Sequence, residues 1–153
     1  DPEEMAARIN RHTKAVLPVD YAGHPADLDE ILAMADKHGL TVIEDAAHAL
    51  GAVYKGRRIG SLSHMTMFSF HPVKHVTTGE GGMVTTDDPE FARRLRQFGN
   101  HGIDPVARER QSQTDGQWYY EMTELGYNYR LADIGCALGL TQLKKLPGLV
   151  KCN

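Results

Sequence analysis

Apolar positions in the first half of the chain switch between two periods. Over residues 2–11, Met5, Ala6 and Ile9 recur at helical spacing. Asp1 is placed as N-cap, Pro2 in the first turn, and Glu3 and Glu4 at the positive end of that helix. Ala15-Val16-Leu17-Pro18-Val19 is an apolar run of strand length, with its proline near one end. From Asp27 to His38 the helical period returns. Leu28, Ile31, Leu32 and Ala35 form the stripe, Asp27 with Glu30 has the spacing of a capping box, and Gly39 follows as the stop. Leu40-Thr41-Val42-Ile43 then reads as a β-branched strand ending in Glu44-Asp45. Two largely apolar strands around a punctuated helix predict a parallel βαβ unit buried on both faces.

The second half continues in the same style. Residues 52–60 predict a hairpin turning at Lys55-Gly56. Met65–Phe70 and Gly82–Thr86 read as strands, joined by the polar segment His71–Gly81. Asp88–Phe98 reads as a helix with Pro89 in its first turn and Phe91, Leu95 and Phe98 on one face. Residues 99–120 carry no period and are expected to be a long loop, in which Trp118-Tyr119-Tyr120 is placed to cover a ligand or a partner. Leu131–Leu146 reads as a last helix with Leu131, Ile134, Leu138, Thr141 and Leu146 inward, Cys136 as a small core residue, and an end at Lys144–Gly148. The whole predicts an α/β fold, a central mixed and mostly parallel sheet flanked by helices.

Composition narrows the field. A chain of 153 residues with 41% hydrophobic and 24% charged residues is globular and of one-domain length. At this size it buries roughly 68–70% of the surface of its unfolded form. No apolar run reaches the ~18 residues of a membrane span. Seventeen Lys and Arg against 20 Asp and Glu give a net charge of −3, without the basic excess of a nucleic-acid binder. Two cysteines, Cys136 and Cys152, make no disulfide framework, and no charged-then-apolar leader opens the chain. A cytoplasmic location is expected.

No G-x-G-x-x-G opens a helix, no P-loop motif is present, and no G-x-S-x-G elbow occurs. What remains are polar residues at the carboxyl ends of strands, where open α/β sheets bind ligands. Asp45 ends a buried strand, which is costly unless it meets a cation, or it serves only as a loop or capping carboxylate. Lys74 lies in a loop with Ser69 before it, and Thr77, Thr78, Gly79, Gly81 and Gly82 after it. By itself such a lysine is a solvated charge; in this company it is also a candidate amine. A carboxylate, an amine and hydroxyls near open glycine backbone suit pyridoxal phosphate. That cofactor needs a Schiff-base lysine, an acid opposite its ring nitrogen and donors for its phosphate.

Ile43-Glu44-Asp45-Ala46-Ala47-His48-Ala49-Leu50-Gly51-Ala52, then Phe68-Ser69-Phe70-His71-Pro72-Val73-Lys74 running to Thr77-Thr78-Gly79-Glu80-Gly81-Gly82, then Gly126-Tyr127-Asn128-Tyr129-Arg130-Leu131, occur in that order. Together they resemble the DegT/DnrJ/StrS-type sugar aminotransferases over nearly the whole chain. The stretches at Tyr21–Pro25 and Glu124–Arg130 are most similar to UDP-sugar 4-aminotransferases of pseudaminic acid biosynthesis. The resemblance implies the large domain of a fold-type I pyridoxal phosphate enzyme. It implies Lys74 as the Schiff-base lysine and proton shuttle, Asp45 at the pyridine nitrogen and Ser69 on the phosphate. His48 falls where many members carry a glutamine that contacts the ring's 3-oxygen. Asn128 would reach the phosphate of a partner subunit, so a homodimer with shared sites is expected. The implied substrates are a nucleotide-linked deoxysugar and an amino donor, glutamate, for surface polysaccharide or glycan synthesis, with no nucleic acid and no membrane as partner.

Family members are longer, with an N-terminal portion and a C-terminal small domain. The resemblance therefore implies that residues 1–153 are one partial domain, the central segment of the large domain, expected alone to bind the cofactor weakly and to transaminate poorly. Three other readings stand beside it. One is a dehydratase or regulatory relative, against which Lys74 argues. Another is a non-catalytic folding or oligomerising module. The third is a metal hydrolase using His71 and His75 with Glu44, Asp45 and His101, against which Pro72 and the glycines argue because they disfavour a helix there. Arg93, Arg94 and Arg96 read as a solvated helix face, and Tyr129 and Arg130 as substrate contacts or packing.

Overall fold

A computed structural model describes residues 1–104 and 120–151. They fall into two compact units, one formed by the described residues within 1–87 and 132–153, the other by those within 88–131.

In the first unit, α1 (Pro2–Arg8) is capped as expected, the Asp1 carboxylate accepting from the Glu3 and Glu4 N–H groups. β1 (Ala15–Val16) pairs in parallel with β2 (Thr41–Asp45), Val16 opposite Val42. The apolar run 15–19 thus gives only a two-residue ladder, followed by a single bridge from Val19 to Asp45. Pro18 lies between them. It has no N–H to donate, although its carbonyl accepts the Asp45 N–H at 2.8 Å. α2 (Leu28–His38) turns Leu28, Ile31 and Ala35 inward and stops at Gly39, which has φ +63°. Asp27 stands at the N-cap, but its side chain makes no capping bond, so the predicted capping box does not form.

β3 (Val53–Tyr54) and β4 (Arg57–Arg58) form the expected hairpin. Lys55 and Gly56 both have positive φ, as a tight two-residue turn requires. β5 (Met65–Ser69) joins β2 in parallel, with Asp45 opposite Met67. β6 (Gly82–Thr85) closes the edge antiparallel to β5, with Ser69 opposite Gly82. The sheet order β1-β2-β5-β6 is mixed and mostly parallel, and the sheet is flanked by helices. One apolar cluster gathers Leu28, Ala46, Ala49, Phe68, Phe70 and Val76; the other joins Val16, Ile31, Ala35, Leu40 and Val42 to Met5 and Ile9.

The last helix, α4 (Asp133–Lys151), overturns two expectations. It runs through Pro147 and Gly148 instead of ending there. Leu146 and Val150, one turn apart, lie against Gly51 on either side of the proline, and this packing carries the helix past it. Its fully buried positions are Gly135 and Gly139; of the residues predicted inward on it, Leu146 is half-buried against the core. A Cβ on Gly139 would stand 2.9 Å from Thr78 Cγ2, so the helix approaches by its glycines. Ile134 (87% exposed), Leu138 and Thr141 face outward, and Cys136 is exposed rather than a core residue.

In the second unit, α3 (Pro89–Phe98) is capped by Asp88. Its one fully buried side chain is Gln97, which donates to Thr123 Oγ1 at 2.7 Å, while Phe98 stays partly exposed. Phe98, Tyr127 and Tyr129 form an aromatic stack, with the two tyrosine rings 4.9 Å apart. Most of the loop predicted at 99–120, including Trp118 and Tyr119, lies outside the described residues.

Candidate active site

Because β2 and β5 are parallel, their carboxyl ends leave the sheet at the same edge. Asp45 is the last residue of β2 and His48 lies three residues on; Ser69 is the last residue of β5 and Lys74 lies five residues on. His48 and Lys74 line one cavity of about 370 Å³ together with Ala22, Val73 and His75. The structure thus brings two of the predicted site residues directly together. Asp45 and Ser69 are at the strand ends but not on that cavity's wall.

Local hydrogen bonds set each side chain. Asp45 Oδ1 accepts the Ala47 N–H at 3.1 Å, the loop-carboxylate role, leaving Oδ2 for another partner. Ser69 Oγ accepts the His71 N–H at 3.3 Å. Lys74 is half-buried, and its N–H closes a turn onto the His71 carbonyl. The loop then folds back on itself. Thr78 N–H donates to the Phe70 carbonyl, the Thr78 hydroxyl to the Glu80 carbonyl, and Gly79 N–H to Thr77 Oγ1. Gly79 and Gly81 both have positive φ, and a Cβ on Gly79 would meet nothing. His48 Nδ1 accepts the Ala22 N–H at 3.4 Å and its ring faces Tyr21.

Asn128 belongs to the second unit, where it bridges through its backbone to Asn100, and Arg130 donates to Asn100 Oδ1 at 2.8 Å. His71 and His75 lie outside any helix, so their spacing does not place them on one helix face. His71 Nε2 is 3.8 Å from Glu80 Oε1, and among the described residues no group of His, Cys, Asp and Glu is arranged to hold a metal ion. No helix among them is long and apolar enough to cross a membrane. Arg93 pairs with Glu90, as suits a solvated helix face.

Sequence reasoning weighed His75 only as a metal ligand. It is instead a neighbour of Lys74 on the cavity wall, with a buried Nδ1 that has no hydrogen-bond partner. Sequence reasoning missed Asp20 and weighed Glu44 only as a metal ligand, and both are fully buried. Burial, first, and then the neighbouring Asp20 carboxyl push Glu44 up to about 7, against the Thr66 hydroxyl and, less, that of Ser63, which favour the charged form.

Comparison with known proteins gives consistent findings. The profile of the DegT/DnrJ/EryC1/StrS aminotransferase family matches residues 1–153. The spore coat polysaccharide biosynthesis protein SpsC of Bacillus subtilis is 48% identical over 151 residues, 99% of this chain and 39% of its own length. The structure of Helicobacter pylori PseC, an aminotransferase involved in the biosynthesis of pseudoaminic acid, superposes with a TM-score of 0.86 at 36% identity. That match covers 97% of this chain and 38% of PseC. The PLP-form of Spr1654 from Streptococcus pneumoniae, a putative sugar aminotransferase, superposes with a TM-score of 0.82 at 30% identity, covering 97% of this chain and 40% of that one. The chain thus spans about two fifths of the length of these relatives, and its fold is that of fold-type I aminotransferases.

Proposed function

The chain belongs to the DegT/DnrJ/EryC1/StrS aminotransferase family, and from that premise we propose that it is the central part of the cofactor-binding domain of a nucleotide-sugar aminotransferase. The reaction moves an amino group from glutamate to a keto group of a nucleotide-linked deoxysugar, for surface polysaccharide or glycan synthesis. The observation that carries this reading is the shared cavity of Lys74 and His48 beyond the ends of two parallel strands that finish in Asp45 and Ser69.

The residues present fit pyridoxal phosphate. A half-buried amine opens onto the cavity, an orphaned imidazole nitrogen of His75 lies buried beside it, and the loop behind holds two positive-φ glycines. When bound, that cofactor supplies an electron sink for the carbon that loses its proton. Lys74 Nζ holds it and moves the proton at that carbon. Asp45 Oδ2 keeps the ring nitrogen charged, His48 orients the ring oxygen, and the Ser69 hydroxyl with the glycine-rich turn takes the phosphate. Asn128 serves the phosphate of a partner subunit, so the working form is a homodimer. Support comes from SpsC and PseC, whose names place them in polysaccharide and pseudoaminic acid biosynthesis, and from the PLP-form of Spr1654.

The test is a titration of the chain with pyridoxal phosphate, followed by visible absorption. A band that borohydride traps on Lys74, and that Lys74→Ala lacks, is expected. Equal bands in parent and variant would refute the assignment of Lys74.

A further inference from the structure

Asp20 and Glu44 are both fully buried, and neither takes part in the chemistry proposed above. Asp20 follows β1, and its Oδ1 accepts the Ala26 N–H at 3.0 Å; Glu44 is on β2, and its Oε2 accepts the Thr66 hydroxyl at 2.8 Å. The second oxygen of each, Asp20 Oδ2 and Glu44 Oε1, is buried without a donor. Two ionised carboxylates cannot be left so in a dry interior, because each bare oxygen loses its water and each charge repels the other. One proton placed between them satisfies both oxygens at once.

Asp20 is also the anchor of the turn that forms one wall of the Lys74 cavity. Its N–H donates to the Asp45 carbonyl at 3.0 Å, and its carbonyl accepts the Gly23 N–H. Within that turn Ala22 has φ +54°, a left-handed conformation that a side chain rarely adopts and that persists only where the surroundings impose it. The Ala22 N–H reaches His48, and a Cβ on Gly23 would stand 3.0 Å from the His48 carbonyl.

We infer that Asp20 and Glu44 share a single proton as an acid–carboxylate pair, and that this pair is a positioning device that holds the Tyr21–Gly23 turn, and through it His48, against the Lys74 cavity. Loss of the proton leaves two facing charges and releases the turn. The groups around the pair are the Thr66 hydroxyl, the otherwise unpartnered Ser63 hydroxyl, His64, whose Nδ1 accepts the Val42 N–H, Asp45 next along β2, and His48 beyond the turn. On α2 the buried residues are the apolar Leu28, Ile31 and Ala35, while Asp29 and Glu30 are exposed. The role of the cavity rests on the proposed function, but the shared proton does not.

The test is therefore made on the chain without cofactor. Carboxyl-carbon NMR from pH 4 to 9 is expected to show Glu44 titrating near 7 rather than near 4.5. The Ala26 amide, bonded to Asp20, is expected to shift with the same midpoint. Glu44→Gln supplies a permanent N–H to Asp20 Oδ2, so it should hold the Ala26 amide at its low-pH position throughout. A purely space-filling role for Glu44 would leave that pH dependence unchanged. The proposal is overturned if Glu44 titrates below pH 5, or if the Ala26 transition survives in Glu44→Gln. Should that variant fail to fold, the parent titration decides alone. Failure of the Lys74 absorption test leaves this result untouched, so the two readings fail separately.

Discussion

Replacing Gly102 with alanine separates steric necessity from mere preference. Gly102 has φ +69°, and an added Cβ would stand 1.7 Å from the Glu124 carbonyl oxygen, where ordinary contact begins at 3.4 Å. The obstacle is backbone, so no side chain can swing away. The two segments must separate by more than an ångström, and the bonds that hold them are the first cost. These are Thr123 N–H to the Gly102 carbonyl at 3.0 Å, His101 N–H to the Tyr127 carbonyl at 2.9 Å and Gln97 Nε2 to Thr123 Oγ1. Losing two or three at about 1 kcal/mol each, plus roughly 1–2 kcal/mol for alanine in the left-handed region, gives a destabilisation of about 3–5 kcal/mol. The loss should fall on the second unit, which carries Asn128. Urea unfolding measures the total, and amide exchange at Thr123 and Tyr127 localises it. Gly148→Ala is the control, because nothing lies within 4 Å of its missing Cβ, and it should stabilise α4 by roughly 0.5–1 kcal/mol. If Gly102→Ala unfolds within 0.5 kcal/mol of the parent with unchanged exchange (about the spread of a neutral surface change), the close approach of the two segments is wrong.

Three further outcomes follow from the geometry. Glu44 is raised from 4.5 to about 7, so the folded chain holds a proton there that the unfolded chain has lost. Its stabilising effect is complete below about pH 4.5 and disappears as pH rises through about 7, by up to about 3 kcal/mol in urea unfolding at stepped pH; a flat profile across that window contradicts it. Phe68→Ala, which empties a buried ring site against Gly60, should cost about 3–5 kcal/mol, and a loss under 1 kcal/mol would mean the ring is not core. Gly139→Ala should destabilise despite alanine's better helix propensity, because its Cβ meets Thr78 Cγ2; in a Thr78→Ser background the same change should become neutral or stabilising, and equal effects in both backgrounds would refute the contact.

Where a residue's role follows from its own side chain and its near neighbours, the sequence was readable. The stop at Gly39 needs only a left-handed residue after a helical stripe, and the turn at Lys55-Gly56 needs only two positive-φ positions. The parallel pairing of β1 with β2 follows from two apolar strands around a punctuated helix, while that of β2 with β5, which puts Asp45 and Ser69 at one edge, has no such local signal. The shared cavity of Lys74 and His48 was legible only through three motifs in order, since the type of each residue alone also fits a solvated lysine and a loop histidine. Asp27 shows the limit of local rules: it stands at the capping position, with Glu30 at the right spacing, and makes no capping bond.

What local spacing leaves out at α4 and at β2 has one cause. Counting apolar residues at a fixed period assumes that the face that packs is the face that is greasy. In α4 what decides is distance, since Thr78 lies so close that only Gly139 can face it, and Ile134 and Leu138 are left outside. In β2 what decides is satisfaction of polar atoms. Glu44 alternates with Val42 into the interior, as the two-residue period of a strand places it. A carboxyl on a buried face is a demand for a partner. Here that partner is Asp20, which lies beyond the end of β1 and 24 residues away along the chain, so no window of local spacing could have joined them. A buried acid one residue before a candidate cofactor acid is thus a prompt to look for the second carboxyl and for the proton between them.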